Sequence, residues 1–486
     1  MMNISNNRQK VHQELEGSQQ DHLQRIKRFI TQPSIALENN GVYECADLLR
    51  NIFCEIGITE TEVIQTPGFP AVWAHYKGKS EKTLAIYSYY DTNVIGDNWS
   101  VPPFEGIIEK RDPFKKVLYG RGANNKGGLI ALLNTLEKLL VIEGDLPLNL
   151  MFIIEGDEFL GSNQIPFLIN KFENKLNKAD ALLVPQTCQT INGDVTVYLG
   201  NKGCLHLELK CSGDLWGKGP VGGSIHSSTQ CIVDHPVWRL VSALNTLYDH
   251  EKNIVIVDGF YDKVEKPGEE DLALINILAE KYKGVEADAI PALGGSYRIK
   301  QFINKERGVE LIKRFSYSPT MNINGIRAGY TGPGTLLWTL PHEAFCTIDI
   351  RLPYDMDPFD IMNKIRGHLD KHGFPDITIT PLETSSAEIP ISTSDDIFKA
   401  SMRVFDEWNI KPVIWPRRGS GGPTGFFSKM SGLKSLSSTG LSYASGHSGP
   451  DEYMVIEGND KVGGLLEFEK SLADLIYSFA YFPDPF

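Results

Sequence analysis

LNLMFIIEGDEFLGS, residues 148–162, is an apolar run that ends in acids and a Gly-Ser turn. Its first part, LNLMFIIEG, shows no polar alternation, the pattern of a strand buried on both faces. Such strands belong to parallel sheets covered by helices, so this stretch sets the expected fold class. Catalytic groups in these sheets lie on loops at the carboxyl ends of strands. Asp157 and Glu158 fall at such an end, and Phe159 follows them where a metal site would want another oxygen donor.

The neighbouring sequence extends the pattern. AVWAHY (71–76), TLAIYSYYD (83–91) and ALLVPQ (181–186) read as further strands. Residues 11–30 and 43–57 read as amphipathic helices, and GGLIALLNTLEKLL (127–140) carries leucines at helical spacing behind a Gly-rich turn. This alternation predicts an α/β domain with a mixed, largely parallel sheet flanked by helices. Asp91, Asn124, Glu158 and Gln186 then lie on strand ends or the loops beside them. Near residue 203 the texture changes. LHLELKCS (205–212) and AFCTIDIRLPY (344–354) alternate like half-exposed antiparallel strands, followed by a helix over 357–373 and a strand, DITITPL (376–382). This order predicts an inserted α+β lid of ferredoxin-like kind over 205–384, with 1–204 and 385–486 forming the α/β domain. TSSAEIPISTSD (384–395) reads as the return linker, and GDLWGKGPVGG (213–223) as an insertion able to lie over a cleft.

Composition bounds the function. A chain of 486 residues with 41% hydrophobic and 22% charged residues is an ordinary globular protein of two or more domains. Its net charge of -13 and lack of a basic cluster argue against a nucleic-acid partner. No apolar run approaches the roughly 18 residues needed to cross a bilayer, and the polar N-terminus does not read as a signal peptide. The seven cysteines are scattered with no Cys-x-x-Cys pair, which suits reduced thiols in the cytoplasm. Other chemistries find little support. RRGSGG (417–422) has Arg418 where a nucleophile elbow needs its first glycine, Ser431 and Lys434 form a common Ser-x-x-Lys spacing, and GDLWGKGPVGG lacks the ending of a phosphate loop.

The ordered loops SYYD with WSVPPFEG, LYGRGANNKGG, EGDEFLGS, IHSSTQCIVDHPVWRLVSALNTL, SPTMNINGI, IDIRLP and HSGPDEYMVIEG resemble the zinc-dependent aminoacylase and dipeptidase superfamily over nearly the whole chain. That group includes acetylornithine deacetylase, succinyl-diaminopimelate desuccinylase and carnosinase-type dipeptidases. The resemblance implies a catalytic α/β domain with an inserted lid through which the chain forms a homodimer. It also implies two metal ions about 3.5–4 Å apart, bridged by a carboxylate and a water. At the ligand positions, however, this sequence has Tyr89, Asn124, Phe159 and Gln186. The last ligand position is Ser448 when Pro450-Asp451-Glu452 is aligned without a gap, with His447 one residue away. Neutral oxygens and a phenyl ring are poor ligands for a dication, so no metal and no other cofactor is expected.

The remaining positions keep the family's residue types. By resemblance, Asp91 takes the place of the acid that orients a metal-bound histidine, and Glu158 that of the general base. His226 matches the lid histidine that reaches the substrate carbonyl. Arg351 matches the arginine that clamps a substrate carboxylate, a task suited to a bidentate guanidinium. Asn322, Gly421, Gly422 and His447 match residues lining the cleft. Plainer readings stand beside these. Glu158 and Asp91 also fit strand-end acids bonded to backbone amides, His226 a surface histidine, and Arg351 a solvated strand residue.

Replacement confined to ligand positions suggests a metal-independent enzyme acting on an amino-acid- or peptide-derived substrate by cyclisation, acyl transfer, elimination or isomerisation. Beside Phe159, Glu158 would then have a raised pKa and serve as general acid/base. Two other readings remain open: a non-catalytic protein binding a peptide-like ligand, and a metallopeptidase keeping one ion through Asp91, Glu158 and His447.

Overall fold

The structure is a computed structural model that describes residues 2–290, 293, 299–334, 338–437 and 439–484. Its contacts divide the chain into two compact units. The first comprises Met1–Gly200, Ile389–Pro416 and Phe426–Phe486, and the second Asn201–Glu388 with Arg417–Gly425. The sequence pattern had put the first change after residue 204, because alternation becomes visible only inside the strand that begins at Gly203. Segment 417–425, expected in the closing part of the first domain, packs in the second unit. Its glycines make it look like any surface loop, and only its tertiary contacts with residues 202–203 and Phe315 reveal where it belongs.

In the first unit β1 (Glu60–Ile64), β2 (Ala71–Tyr76), β3 (Thr83–Tyr89), β4 (Asn149–Glu155), β5 (Ala181–Val184) and the strand Ser435–Ser437 form one sheet. Its order is β1-β2-β4-β3-β5 and then Ser435–Ser437. Strand β3 runs parallel to both β4 and β5, and β5 runs parallel to the strand Ser435–Ser437, whereas β1 and β2 are antiparallel. Every residue of β3 and β4 is buried, which explains their unbroken apolar runs. The helix Asn125–Glu143 is buried without a break from Asn125 to Leu136. Gly128 permits this approach, since a Cβ there would meet the Pro185 carbonyl oxygen at 2.4 Å. The helix start is thereby set beside the end of β5. At the N-terminus the expected single helix is two, Met2–Gly17 and Gln19–Thr31, interrupted at Ser18 (φ -104°, ψ 6°).

In the second unit β6 (Gly203–Ser212), β7 (Asn322–Arg327), β8 (Glu343–Leu352) and β9 (Thr378–Ser385) form an antiparallel sheet of order β7-β8-β6-β9. With helices Pro236–Asn245 and Pro358–Lys371 this is the β-α-β-β-α-β order of a ferredoxin-like unit. Alternate residues of β8 are buried, and Leu205, Leu207, Leu209, Ile348 and Ile350 pack with Leu240, Ile361 and Ile365. The strand expected over 376–382 begins later, because Asp376 is held by the Arg239 Nε at 3.1 Å. β7 is an edge strand with all six residues exposed, Ile323 and Ile326 included. Of the Gly-rich insertion, Gly213–Trp216 forms a helical turn capped by the Ser212 hydroxyl. Among the described residues no helix is long and apolar enough to cross a membrane.

Candidate functional site

β3, β4 and β5 deliver their carboxyl ends side by side. Beyond β3, Asp91 is wholly buried, and its Oδ2 accepts the Phe159 amide at 2.9 Å. Its Oδ1 is buried with no hydrogen-bond partner among the described residues. Burial pushes the Asp91 carboxyl up to about 7, against the lowering effect of the Phe159 and Glu158 amides. Beyond β4 the chain makes a tight turn, Glu158–Leu160, closed by Gly161 at φ 96°. Glu158 stands on this turn, half-buried.

The sequence reading missed the acid beneath it. Glu155 is buried at the end of β4, accepting the Tyr87 hydroxyl and the Ser162 hydroxyl, the latter at 2.8 Å. Burial raises both this carboxyl and that of Asp157, and the Asp157 charge helps to lift Glu155 well above the ordinary range. An acid two residues before another in an otherwise apolar strand was the available signal. Burial thus lifts the carboxyls of Asp91, Glu155 and Asp157 around the turn that carries Glu158.

The positions that resemble metal-ligand sites hold one another. The Tyr89 hydroxyl lies 3.1 Å from His447 Nε2. The Phe159 ring meets Tyr89 edge-on at 5.9 Å and stacks on His447 at 5.8 Å. Asn124 gives its backbone and side-chain N–H groups to Glu452 Oε1, both at 3.1 Å, and its side chain also reaches the Ser445 carbonyl. Glu452 is paired in turn with Arg121 at 3.1 Å, both buried, and Arg121 donates to the carbonyls of Val94, Ile95 and Gly449. This pair, also missed, pins the His447–Ser448 loop to the turn before the helix Asn125–Glu143. Ser448 sits in that loop at φ 62°, and Gln186 follows β5, its carbonyl accepting the Thr439 and Gly440 amides. The hollow among Thr92, Asn125, Phe159, His447 and Glu452 leaves no room for a water molecule. Among the described residues no three His, Cys, Asp or Glu side chains gather as a metal-holding group. The donors present therefore do not fit a two-ion centre.

In the second unit the register brings Arg351 and Asn322 onto one sheet face. Asn322 of β7 stands opposite Asp349 of β8, and Arg351 is two residues further along β8. The Arg351 Nε donates to Asp349 Oδ2 at 3.1 Å, and its backbone N–H to Thr320 Oγ1 at 3.0 Å. Its Nη groups have no partner among the described residues. His226 is exposed, and its Nδ1 accepts the Ser228 amide at 3.2 Å, which leaves Nε2 as the protonated nitrogen of the neutral ring. Gly421 lies against Lys202, where a Cβ would meet the carbonyl oxygen at 2.3 Å, whereas Gly422 faces open space. Lys202 is a further residue the sequence reading overlooked. It is buried, and that burial, with the Arg351 charge adding, pulls its ammonium down to about 7.

The family model described as Peptidase family M20/M25/M40 matches residues 85–463. The β-Ala-His dipeptidase of Homo sapiens is 25% identical over 389 residues, 74% of this chain and 71% of the relative. A Cys-Gly metallodipeptidase of Schizosaccharomyces pombe is 24% identical over 387 residues, 74% of this chain and 75% of the relative. Among solved structures, an M20 family metallo-carboxypeptidase of Sulfolobus solfataricus superposes with a TM-score of 0.81 at 27% identity, covering 94% of this chain and 99% of that one. These relatives overturn the expected metal-independent enzyme of cyclisation, acyl transfer, elimination or isomerisation: they are named as peptidases, two of them as metallo-enzymes. The physical reason is that the residue types at these positions bear on what the site holds and do not select a different reaction.

Proposed function

The chain belongs to peptidase family M20/M25/M40, and from that membership we propose that it acts on short peptides of the dipeptide class. The observation that carries this reading is the Arg351 guanidinium, anchored through Nε on Asp349 with both Nη groups left for a bidentate carboxylate. Asn322, on the same sheet face, and the Gly421–Gly422 backbone line the place of the peptide. His226 offers Nε2–H to the peptide carbonyl as negative charge develops on it. In the first unit, Glu158 on the turn beyond β4 is the group proposed to carry a proton in hydrolysis. Asp91 holds the Glu158 turn through the Phe159 amide.

A second reading, peptide binding without turnover, is favoured by the mutual packing of Tyr89, Phe159 and His447. One experiment separates the two. The chain is incubated with a dipeptide panel including β-Ala-His and Cys-Gly, with and without added zinc or manganese, while binding is followed by calorimetry. Cleavage of any member supports the first reading, and binding without cleavage under every condition supports the second. Neither binding nor cleavage sinks both.

The exposed edge strand β7, with Ile323 and Ile326, supports a homodimer formed through this unit. Ile323→Lys with Ile326→Lys then yields a monomer by analytical ultracentrifugation, and an unchanged mass removes β7 from the interface. The cysteines are unpaired among the described residues, in keeping with a cytoplasmic protein.

A further inference from the structure

Lys202 lies at the start of β6 with 3% of its surface exposed. Its Nζ donates to the Phe315 carbonyl at 2.6 Å and the Ser318 carbonyl at 2.7 Å. Both carbonyls belong to the end of helix Gly308–Tyr317, where helical geometry leaves oxygens without an internal partner. Two residues beyond Ser318, Thr320 is bonded to Arg351 twice. Its Oγ1 accepts the Arg351 amide at 3.0 Å, and its own amide donates to the Arg351 carbonyl at 3.1 Å. The Lys202 amide donates to the Arg418 carbonyl at 3.3 Å, and Gly419 lies against the Phe315 ring. One lysine thus ties together the turn that seats Arg351 and the loop that carries Gly421.

We infer that Lys202 is a positioning residue for the Arg351 carboxylate clamp, acting through the Phe315–Thr320 turn. The inference rests on the reading of Arg351 given above. Without the ammonium two helix-end carbonyls lose their donor in a dry place, the turn shifts, and Thr320 carries the Arg351 backbone with it. A displacement of this kind misplaces a bidentate contact while leaving the sheet intact. Lysine suits the task because its long stem spans from the strand to the helix end, while its head satisfies two oxygens at once.

The test compares binding of β-Ala-His with that of its C-terminal amide, by calorimetry, in folded protein. Lys202→Met keeps the stem and removes the donors. It is expected to weaken the acid by about tenfold or more and the amide by less than about threefold, the scale of a hydrogen bond to a charged group. Thr320→Val, which removes the acceptor for the Arg351 amide, should show the same preference and decides the matter if Lys202→Met does not fold. In an Arg351→Ala background, Lys202→Met should add nothing. Equal losses for acid and amide, or losses additive with Arg351→Ala, would reduce Lys202 to a structural residue. Should Arg351→Ala itself leave acid and amide binding unchanged, the clamp reading falls first and the inference with it.

Discussion

Two corners of the molecule gather like charges, and they treat them differently. At the carboxyl ends of β3 and β4 three acids, Asp91, Glu155 and Asp157, are buried on hydroxyls, backbone amides and each other. At the start of β6, Lys202 is buried beside Arg351. Burial moves Asp91 up and Lys202 down, and the two meet at about 7 from opposite sides. The difference lies in what stays charged. In the acid corner burial favours bound protons, whereas in the cationic corner Arg351 keeps its charge on Asp349 and burial works against the Lys202 charge. The acid corner favours the protonated forms of its buried carboxyls. The cationic corner displays one fixed charge, the one proposed to meet a peptide carboxylate.

Breaking the displayed charge should have the largest effect. Arg351→Ala is expected to weaken β-Ala-His binding by about thirtyfold, roughly 2 kcal/mol for a charge-assisted pair. Arg351→Lys should recover only part of this, because an ammonium cannot reproduce the fork. Binding restored fully by lysine would mean that charge, and not geometry, distinguishes this corner.

The acid corner is sharpened by pH. Asp91 has a folded pKa of about 7 against an ordinary value of 3.8, so between those values the folded chain binds more protons than the unfolded one. Its contribution is therefore fully present in acid and is lost as pH rises toward 7. Asp91→Asn should flatten the fall in stability between pH 4 and 7 by about 1.4 kcal/mol per pH unit, read from urea midpoints. Glu155 and Asp157 leave a remaining slope of the same sign. Lys202, depressed from 10.5, gives the opposite slope, stability rising from about pH 7 upward. An unchanged slope in Asp91→Asn would show that its charge is compensated after all.

How far all this was legible follows from what each residue depends on. β3, β4 and β8 were readable because burial on two faces or one writes itself into their periodicity. Arg351, Asn322 and His226 could be named by resemblance, but the sharing of a face by Arg351 and Asn322 required the register. Lys202 could not be found, since its partners are backbone carbonyls at 315 and 318, more than a hundred residues away and silent in sequence. Arg121 and Glu452 escaped for a similar reason: a buried ion pair 331 residues apart looks like two ordinary surface charges. Segment 417–425 went to the wrong domain because its seat is a set of close backbone approaches, which glycine permits but does not announce. The metal-free chemistry failed differently. It took a change in what the site can hold as evidence for a change in reaction.

The smallest expected effect lies at the rim of the acid corner. Tyr89 is nearly buried, yet its hydroxyl reaches His447, which is exposed and can turn to water when that partner is lost. Tyr89→Phe keeps the ring that meets Phe159 and removes only the hydroxyl. Its cost should be about 1 kcal/mol or less, the net value of a hydrogen bond whose acceptor regains solvent. A loss above about 2 kcal/mol in urea unfolding would instead place His447 Nε2 in a dry setting, since stranding a buried acceptor costs that much. The buried region would then extend outward to the loop that Glu452 pins, and the boundary between the acid corner and its exposed rim would have to move past His447.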